Sequence, residues 1–191
     1  VAERTRGYAH RVDVKAPMEL LWQGLVAPEL LALWFGPGAR VDARRGGQYF
    51  VRADRDLERE AHIDVFEPGR RLRLIYMPPR ELPPSDAVVV DDFILATEQG
   101  NAVLRLLGSG FPEEESWDLY YNRLRAGWAQ ALARLKVCVE HRHRIASQPA
   151  AEAGAQRGAR PDRAGGAPEL PSYGPPRASR DDGEDSWELL P

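Results

Sequence analysis

Cysteine is almost missing from this 191-residue chain; Cys138 is the only one. That excludes an internal disulfide and any cysteine-based zinc cluster, and it agrees with a reducing, cytoplasmic location. Lysine is nearly as scarce, with Lys15 and Lys136 standing against a large arginine complement, the bias of a GC-rich genome rather than a mechanism. Excess positive charge is missing too. The formal net charge is -3, which leaves no electrostatic footprint for nucleic acid. No apolar run approaches the roughly 20 residues that cross a bilayer, and the stretch from Val1 to Arg6 has no apolar segment of the kind a signal peptide carries. Gly-x-Ser-x-Gly, a Cys–His pairing and His-Glu-x-x-His are all lacking. The sequence therefore assigns no catalytic residue, no metal ligand and no cofactor.

What is present divides into two parts at about Ala146. Beyond it the chain is Ala, Gly, Pro, Arg and acid, and its large apolar residues are Leu170, Tyr173, Trp187, Leu189 and Leu190. Such a segment cannot bury enough apolar area to offset about 1–2 kcal/mol per residue of backbone ordering. Residues 146–191 are expected to be a disordered tail. With 5 Arg and 8 acids the tail carries the whole net charge, the rest being balanced at 21 against 21. Its last stretch, Asp181 to Leu190, mixes acids with apolar anchors, a pattern shared by short docking motifs and by ordinary disordered ends.

Residues 8–145 carry the pattern of a folded domain. Tyr8 to Lys15 reads as a strand on its alternating Val12 and Val14. Pro17, at a predicted N1 position, opens a short helix through Met18, Leu21, Trp22 and Leu25. Pro28 opens a second through Leu30, Leu31 and Trp34, ended by Gly36-Pro37-Gly38. Six strands follow: Arg40–Ala43 and Gln48–Ala53 about Gly46-Gly47, Glu60–Phe66 and Leu72–Met77 about Glu67–Arg70, then Ala87–Thr97 and Ala102–Leu107 about Glu98–Asn101. Short turns between successive strands predict an antiparallel meander. Pro78–Ser85, with four prolines, is the one long link. After Glu113-Glu114-Glu115, residues Trp117, Tyr121, Leu124, Trp128, Leu132, Leu135 and Val139 recur at spacings of three and four, an amphipathic helix of roughly seven turns. A sheet packed against so long a rod must curve. The fold class is α+β, a curved antiparallel sheet wrapped around a long C-terminal helix with two short helices after the first strand.

That order is the helix-grip arrangement, and its wording is similar to the START-like (SRPBCC) superfamily. Within it the chain resembles the family named after the activator of Hsp90 ATPase. The resemblance rests on Ala16-Pro17, Leu21-Trp22, Pro28-Glu29-Leu30, Trp34-Phe35, Asp42 to Tyr49, Glu67 to Leu72, Gly110-Phe111 and Gly127-Trp128, and spans about residues 8–140. Family members often have a glycine and an acid where this chain has Ala61 and Val65, and a His or Thr pair where it has Leu107-Gly108-Ser109. The resemblance implies an interior cavity without that acid.

The expected function is binding of a small apolar molecule, a lipid among others, in that cavity, with no fixed reaction. The candidate lining is Trp22, Trp34, Phe35, Tyr49, Val51, Tyr76, Phe93, Trp117, Tyr121, Leu124 and Trp128. For Trp34-Phe35 and the aromatics of the long helix, plain core packing competes with a role as cavity wall. Burying about 300 Å² of ligand at roughly 25 cal/mol per Å² supplies about 7 kcal/mol before association costs. The resemblance leaves two alternatives: a module that contacts or activates an Hsp90-type chaperone, and a polyketide cyclase-like enzyme, which would need polar residues inside. His62 and Asp64 share one strand face, read as solvated, opposite Ala61, Ile63 and Val65. Asp91-Asp92 point to opposite faces and are expected to be surface charge. His10, His141 and His143 lack zinc spacing, and Cys138 reads as an inert thiol.

Overall fold

The computed structural model describes residues 4–52, 58–77 and 81–148. By its contacts the chain divides into Val1–Pro149 and Ala150–Pro191, and the expected tail with its Asp181–Leu190 stretch lies outside the described residues from 149 onward. Of the proline-rich link, Pro78, Pro79 and Arg80 lie outside them as well.

The alternating segments form seven strands: β1 (Thr5–Val14), β2 (Gly38–Val41), β3 (Gln48–Arg52), β4 (Glu58–Glu67), β5 (Arg71–Tyr76), β6 (Val89–Glu98) and β7 (Asn101–Pro112). They make one sheet in the order β1-β7-β6-β5-β4-β3-β2, antiparallel at every pairing. The meander from β2 to β7 is the predicted one, and β1 closes onto β7. Two short helices, α1 (Met18–Val26) and α2 (Pro28–Trp34), follow β1, and the long helix α3 (Asp118–Ser147) closes the fold against the curved sheet.

Several boundaries differ from the sequence reading for local reasons. Pro17 caps α1 instead of starting it, whereas Pro28 does occupy the first helical position of α2. β2 ends at Val41 because the next residues form a tight loop in which Gly46 donates to the Ile63 carbonyl and Gly47 to that of Arg44. Gly46 has φ +78°, and a Cβ on Gly47 would lie 2.0 Å from the Asp42 carbonyl oxygen, so this turn requires both glycines. In β4 a register shift between Ile63 and Val65 resets the alternation. Val65 is therefore only half-buried, and Phe66 turns inward to meet Trp22 at 5.3 Å between ring centroids. The long helix begins at Asp118, not among the three glutamates, because a single 3-10 turn (Glu115–Trp117) intervenes and buries Trp117. α3 has 30 residues, about eight turns. Its buried residues Leu124, Trp128, Ala131, Leu132, Leu135 and Val139 form the face turned to the core, with Leu135 and Val139 packed on Gly24 of α1.

Side-chain to backbone bonds fasten the short helices to this frame. The Trp34 indole N–H donates to the Gly24 carbonyl at 2.8 Å, and the Tyr49 hydroxyl to the Leu25 carbonyl at 2.9 Å. Arg134 of α3 donates to the Trp34 carbonyl at 2.8 Å. These bonds satisfy carbonyls at the end of α1 and α2 that lack helical partners.

Candidate functional site

A charged pair sits inside the fold. Arg59 of β4 and Asp91 of β6 keep 3% and 0% of their side-chain surface exposed and meet at 2.9 Å, from Arg59 Nη1 to Asp91 Oδ2. Two neutral donors converge on the same carboxylate, the Tyr8 hydroxyl at 2.5 Å and the Trp128 indole N–H at 3.0 Å. This overturns the expectation that Asp91-Asp92 is surface charge. The two aspartates do point to opposite faces, but Asp91 points inward. Asp92 is buried under Arg71, which chelates it through Nε at 2.9 Å and Nη2 at 2.6 Å, and under Arg73. Burial raises the Asp92 pKa, but the Arg71 and Arg73 guanidinium groups outweigh it and leave it below the ordinary value.

The sheet register explains how Tyr8 reaches across. Tyr8 is paired with Gly108, and Gly108 with Asp91, so the three lie in one row over β1, β7 and β6. A side chain on Gly108 would collide with the phenol, since its Cβ would lie 2.2 Å from Tyr8 Cζ. The absence of that Cβ lets the ring lie across β7 and place its oxygen on Asp91. Burial, then the Asp91 charge, raise the Tyr8 pKa, which keeps the phenol a donor. Burial likewise holds the Tyr76 pKa far up.

Arg59 is the least satisfied member. Its guanidinium stacks 3.6 Å over the Tyr76 ring and 5.7 Å from that of Trp128. Burial opposes its charge, but Tyr76 and Asp91 outweigh that effect and hold its pKa above the ordinary value. Among the described residues its Nε and Nη2 make no hydrogen bond of ordinary geometry, although the Tyr8 and Tyr120 hydroxyls interact with the guanidinium, and the Tyr76 hydroxyl makes none either. Buried donors are rarely left in this state, and each such case asks for a physical reason.

Next to Arg59 a void of about 10 Å³ is lined by Phe35, Arg59, Leu124, Gly127 and Trp128, roughly the room one water needs. Among the described residues the space beside these rings thus departs from the expected apolar hollow twice: it is far smaller, and its wall carries a guanidinium. Wider hollows of about 570 and 460 Å³ lie around Val137-Cys138 and around Lys15-His143 and touch none of the candidate residues. Phe35, Leu124 and Trp128 line the void, and Phe93 and Tyr76 back it through Trp128 at 5.3 Å and Arg59 at 3.6 Å. Trp22 packs on Phe66; Trp34 and Tyr49 are the helix fasteners. Trp117 meets Tyr120 at 6.0 Å, and Tyr121, half-buried, donates to the Gly7 carbonyl and carries Arg6 on its ring. Val51 is buried on the inner face of β3.

Arg59 and Asp91 are the residues sequence reasoning missed, yet both obey strand parity. Arg59 stands two before Ala61 in the inward row of β4, and Asp91 lies between the inward Val89 and Phe93. The interior acid that the resemblance implied to be absent is supplied from β6. On the outer face His62 is exposed and Asp64 half-buried. His10 lies beside Tyr8, its pKa lowered by burial. Cys138 is half-buried, and burial raises its pKa, away from nucleophilic behaviour. Among the described residues no cluster of His, Cys, Asp and Glu could hold a metal ion, and no helix is long and apolar enough to cross a membrane.

Gly127 stands mid-helix on α3, and a Cβ there would meet nothing within 4 Å. Gly127→Ala is expected to stabilise the fold by about 0.5–1 kcal/mol through helix propensity alone. A higher urea midpoint checks this; a lower one would mean the notch is filled.

A seven-stranded antiparallel sheet curved around a long C-terminal helix, with two short helices after the first strand, defines a helix-grip protein. The chain belongs to the Activator of Hsp90 ATPase homolog 1-like protein family, whose model matches residues 15–140. Among solved structures it is similar to protein MLL2253 from Mesorhizobium loti, at 22% identity and a TM-score of 0.63, covering 71% of this chain and 98% of that one. It is also similar to the Aha1 dimer from Colwellia psychrerythraea, at 20% identity and a TM-score of 0.61, over 71% and 96% of the two chains. CalU16 from Micromonospora echinospora matches at 21% identity and a TM-score of 0.57, over 80% and 87%. These likenesses carry the fold alone. A comparison with curated proteins finds no matching relative.

Proposed function

We propose that the protein binds a small, mostly apolar molecule in the interior beneath α3, between Phe35, Leu124 and Trp128 and the buried Arg59. The observation that carries this reading is the fully buried guanidinium at the edge of a void, with two nitrogens that make no hydrogen bond of ordinary geometry. Taking an ion out of water costs several kcal/mol unless its donors are satisfied, so a ligand acceptor at Arg59 recovers part of that cost. Because the void is about 10 Å³, binding opens the interior instead of filling a standing cavity. The Phe35–Trp128 contact, 5.6 Å between centroids, must part, and association is slow for that reason.

The test is a thermal-shift panel of lipophilic molecules including naphthalene derivatives. At one hundred times Kd a bound member adds about 2.7 kcal/mol, a rise on the order of 5–10 °C. Gly127→Trp, which crowds the notch, should abolish the shift. If no member moves the Tm of a folded sample, the reading fails.

The polar interior also supports a second reading, a cyclase-like enzyme in which Arg59 stabilises an enolate oxygen. It ranks lower because the neutral imidazole near the cluster, His10, lies beside Tyr8 and does not line the void. Asp91 already accepts from Tyr8, Arg59 and Trp128, and Tyr8 has its pKa raised. Turnover of an enolisable polyketide-like substrate, lost in Arg59→Lys, would favour it over binding alone.

A further inference from the structure

We infer that the molecule bound in this interior carries a carboxylate, and that the Nε–Nη2 edge of Arg59 is its receptor. The inference rests on the interior being a ligand site and adds the chemical class of the ligand. A guanidinium offers two parallel N–H groups along this edge, spaced to match the two oxygens of a carboxylate. The protein itself displays the match on the outer face of the same sheet, where Nε and Nη2 of Arg71 hold both oxygens of Asp92 at 2.9 and 2.6 Å. Arg59 uses neither nitrogen in that way. Its bond to Asp91 runs through Nη1, and Nε and Nη2 are buried without a hydrogen bond of ordinary geometry among the described residues, the Tyr8 and Tyr120 hydroxyls being neutral groups that a carboxylate would displace.

Edge geometry argues for an acid over an acceptor with a single oxygen. Asp91 cannot turn toward the free edge, because the Tyr8 hydroxyl and the Trp128 indole hold it from two other directions. Asp91 therefore meets Arg59 through Nη1 alone, and the Nε–Nη2 edge stays available to a second acceptor that presents two oxygens. The other void-lining residues, Phe35, Leu124, Gly127 and Trp128, offer hydrocarbon and two aromatic rings to the body of the ligand. Trp128 has its one N–H committed to Asp91. The class that fits is a lipophilic monocarboxylate with a flat or branched apolar body. A fatty acid and an aromatic acid share this chemistry.

The experiment is calorimetric titration of the full chain with 1-naphthoate, its methyl ester and 1-naphthylmethanol, repeated on Arg59→Lys. Lysine keeps a cation beside Asp91 but has no paired N–H edge. The expected result is that wild type binds 1-naphthoate about tenfold or more tightly than either neutral probe, and that Arg59→Lys loses this preference. Equal binding of all three probes would overturn the carboxylate assignment while leaving interior binding intact. A preference for the acid that survives in Arg59→Lys would place acid recognition elsewhere and overturn it too. If no probe binds, the reading beneath it falls together with the inference. Should Arg59→Lys fail to fold, the acid-to-ester ratio on wild type decides alone.

Discussion

Asp91→Ala is expected to destabilise the protein by about 3–5 kcal/mol, a large part of the 5–15 kcal/mol that holds a typical domain together. The size follows from what the substitution leaves behind. Arg59, with 3% of its side chain exposed, loses its counter-ion, and the Tyr8 hydroxyl and Trp128 indole lose their acceptor. None of the three can turn to water without opening the sheet–helix seam. The double variant Arg59→Met/Asp91→Asn removes the buried charge while keeping an acceptor for Tyr8 and Trp128, and should recover most of the loss. Urea unfolding of the three proteins checks this. An unfolding free energy for Asp91→Ala within about 1 kcal/mol of wild type would mean that water already reaches the pair.

Gly108→Ala should cost nearly as much although it adds only one methyl group. Its Cβ would stand 2.2 Å from Cζ and 2.3 Å from Cε2 of Tyr8, contacts that backbone adjustment cannot absorb within a strand paired on both sides. The ring must leave its place over β7, and its bond to Asp91 goes with it. Overpacking of this kind costs about 1–3 kcal/mol, and a hydrogen bond to a charged group is worth about 1.5–3 kcal/mol more. Tyr8→Phe, which loses the bond and keeps the ring, separates the two contributions and should be the milder variant. If Gly108→Ala unfolds at the wild-type denaturant concentration, the ring does not cross β7 as described.

The fold was legible because its signals are local and repeated. Alternation in the strands, the prolines at the two short helices and the three-four spacing from Trp117 to Val139 each point one way, and they agree with one another. Boundaries slipped where tertiary contacts decide, as at the β4 register shift that turns Phe66 inward onto Trp22. The site was less legible. An apolar lining is what aromatic residues suggest, and Phe35, Leu124 and Trp128 do stand at the void. The charged centre was hidden by a general expectation, that Arg and Asp belong at the surface, which outweighed the parity of their positions. Asp91 sits in register with Val89 and Phe93, and parity alone would have sent it inside. That its partner is Arg59 was not readable, since β4 and β6 are brought together only across β5.

The most direct measurement is an experimental structure of the protein with 1-naphthoate bound. The predicted result has both carboxylate oxygens within about 3 Å of Arg59 Nε and Nη2, the fused rings lying between Phe35, Leu124 and Trp128, and Phe35 displaced from Trp128. A probe found only on the outer surface, with those rings still in contact and the guanidinium edge bonded to protein, would contradict it.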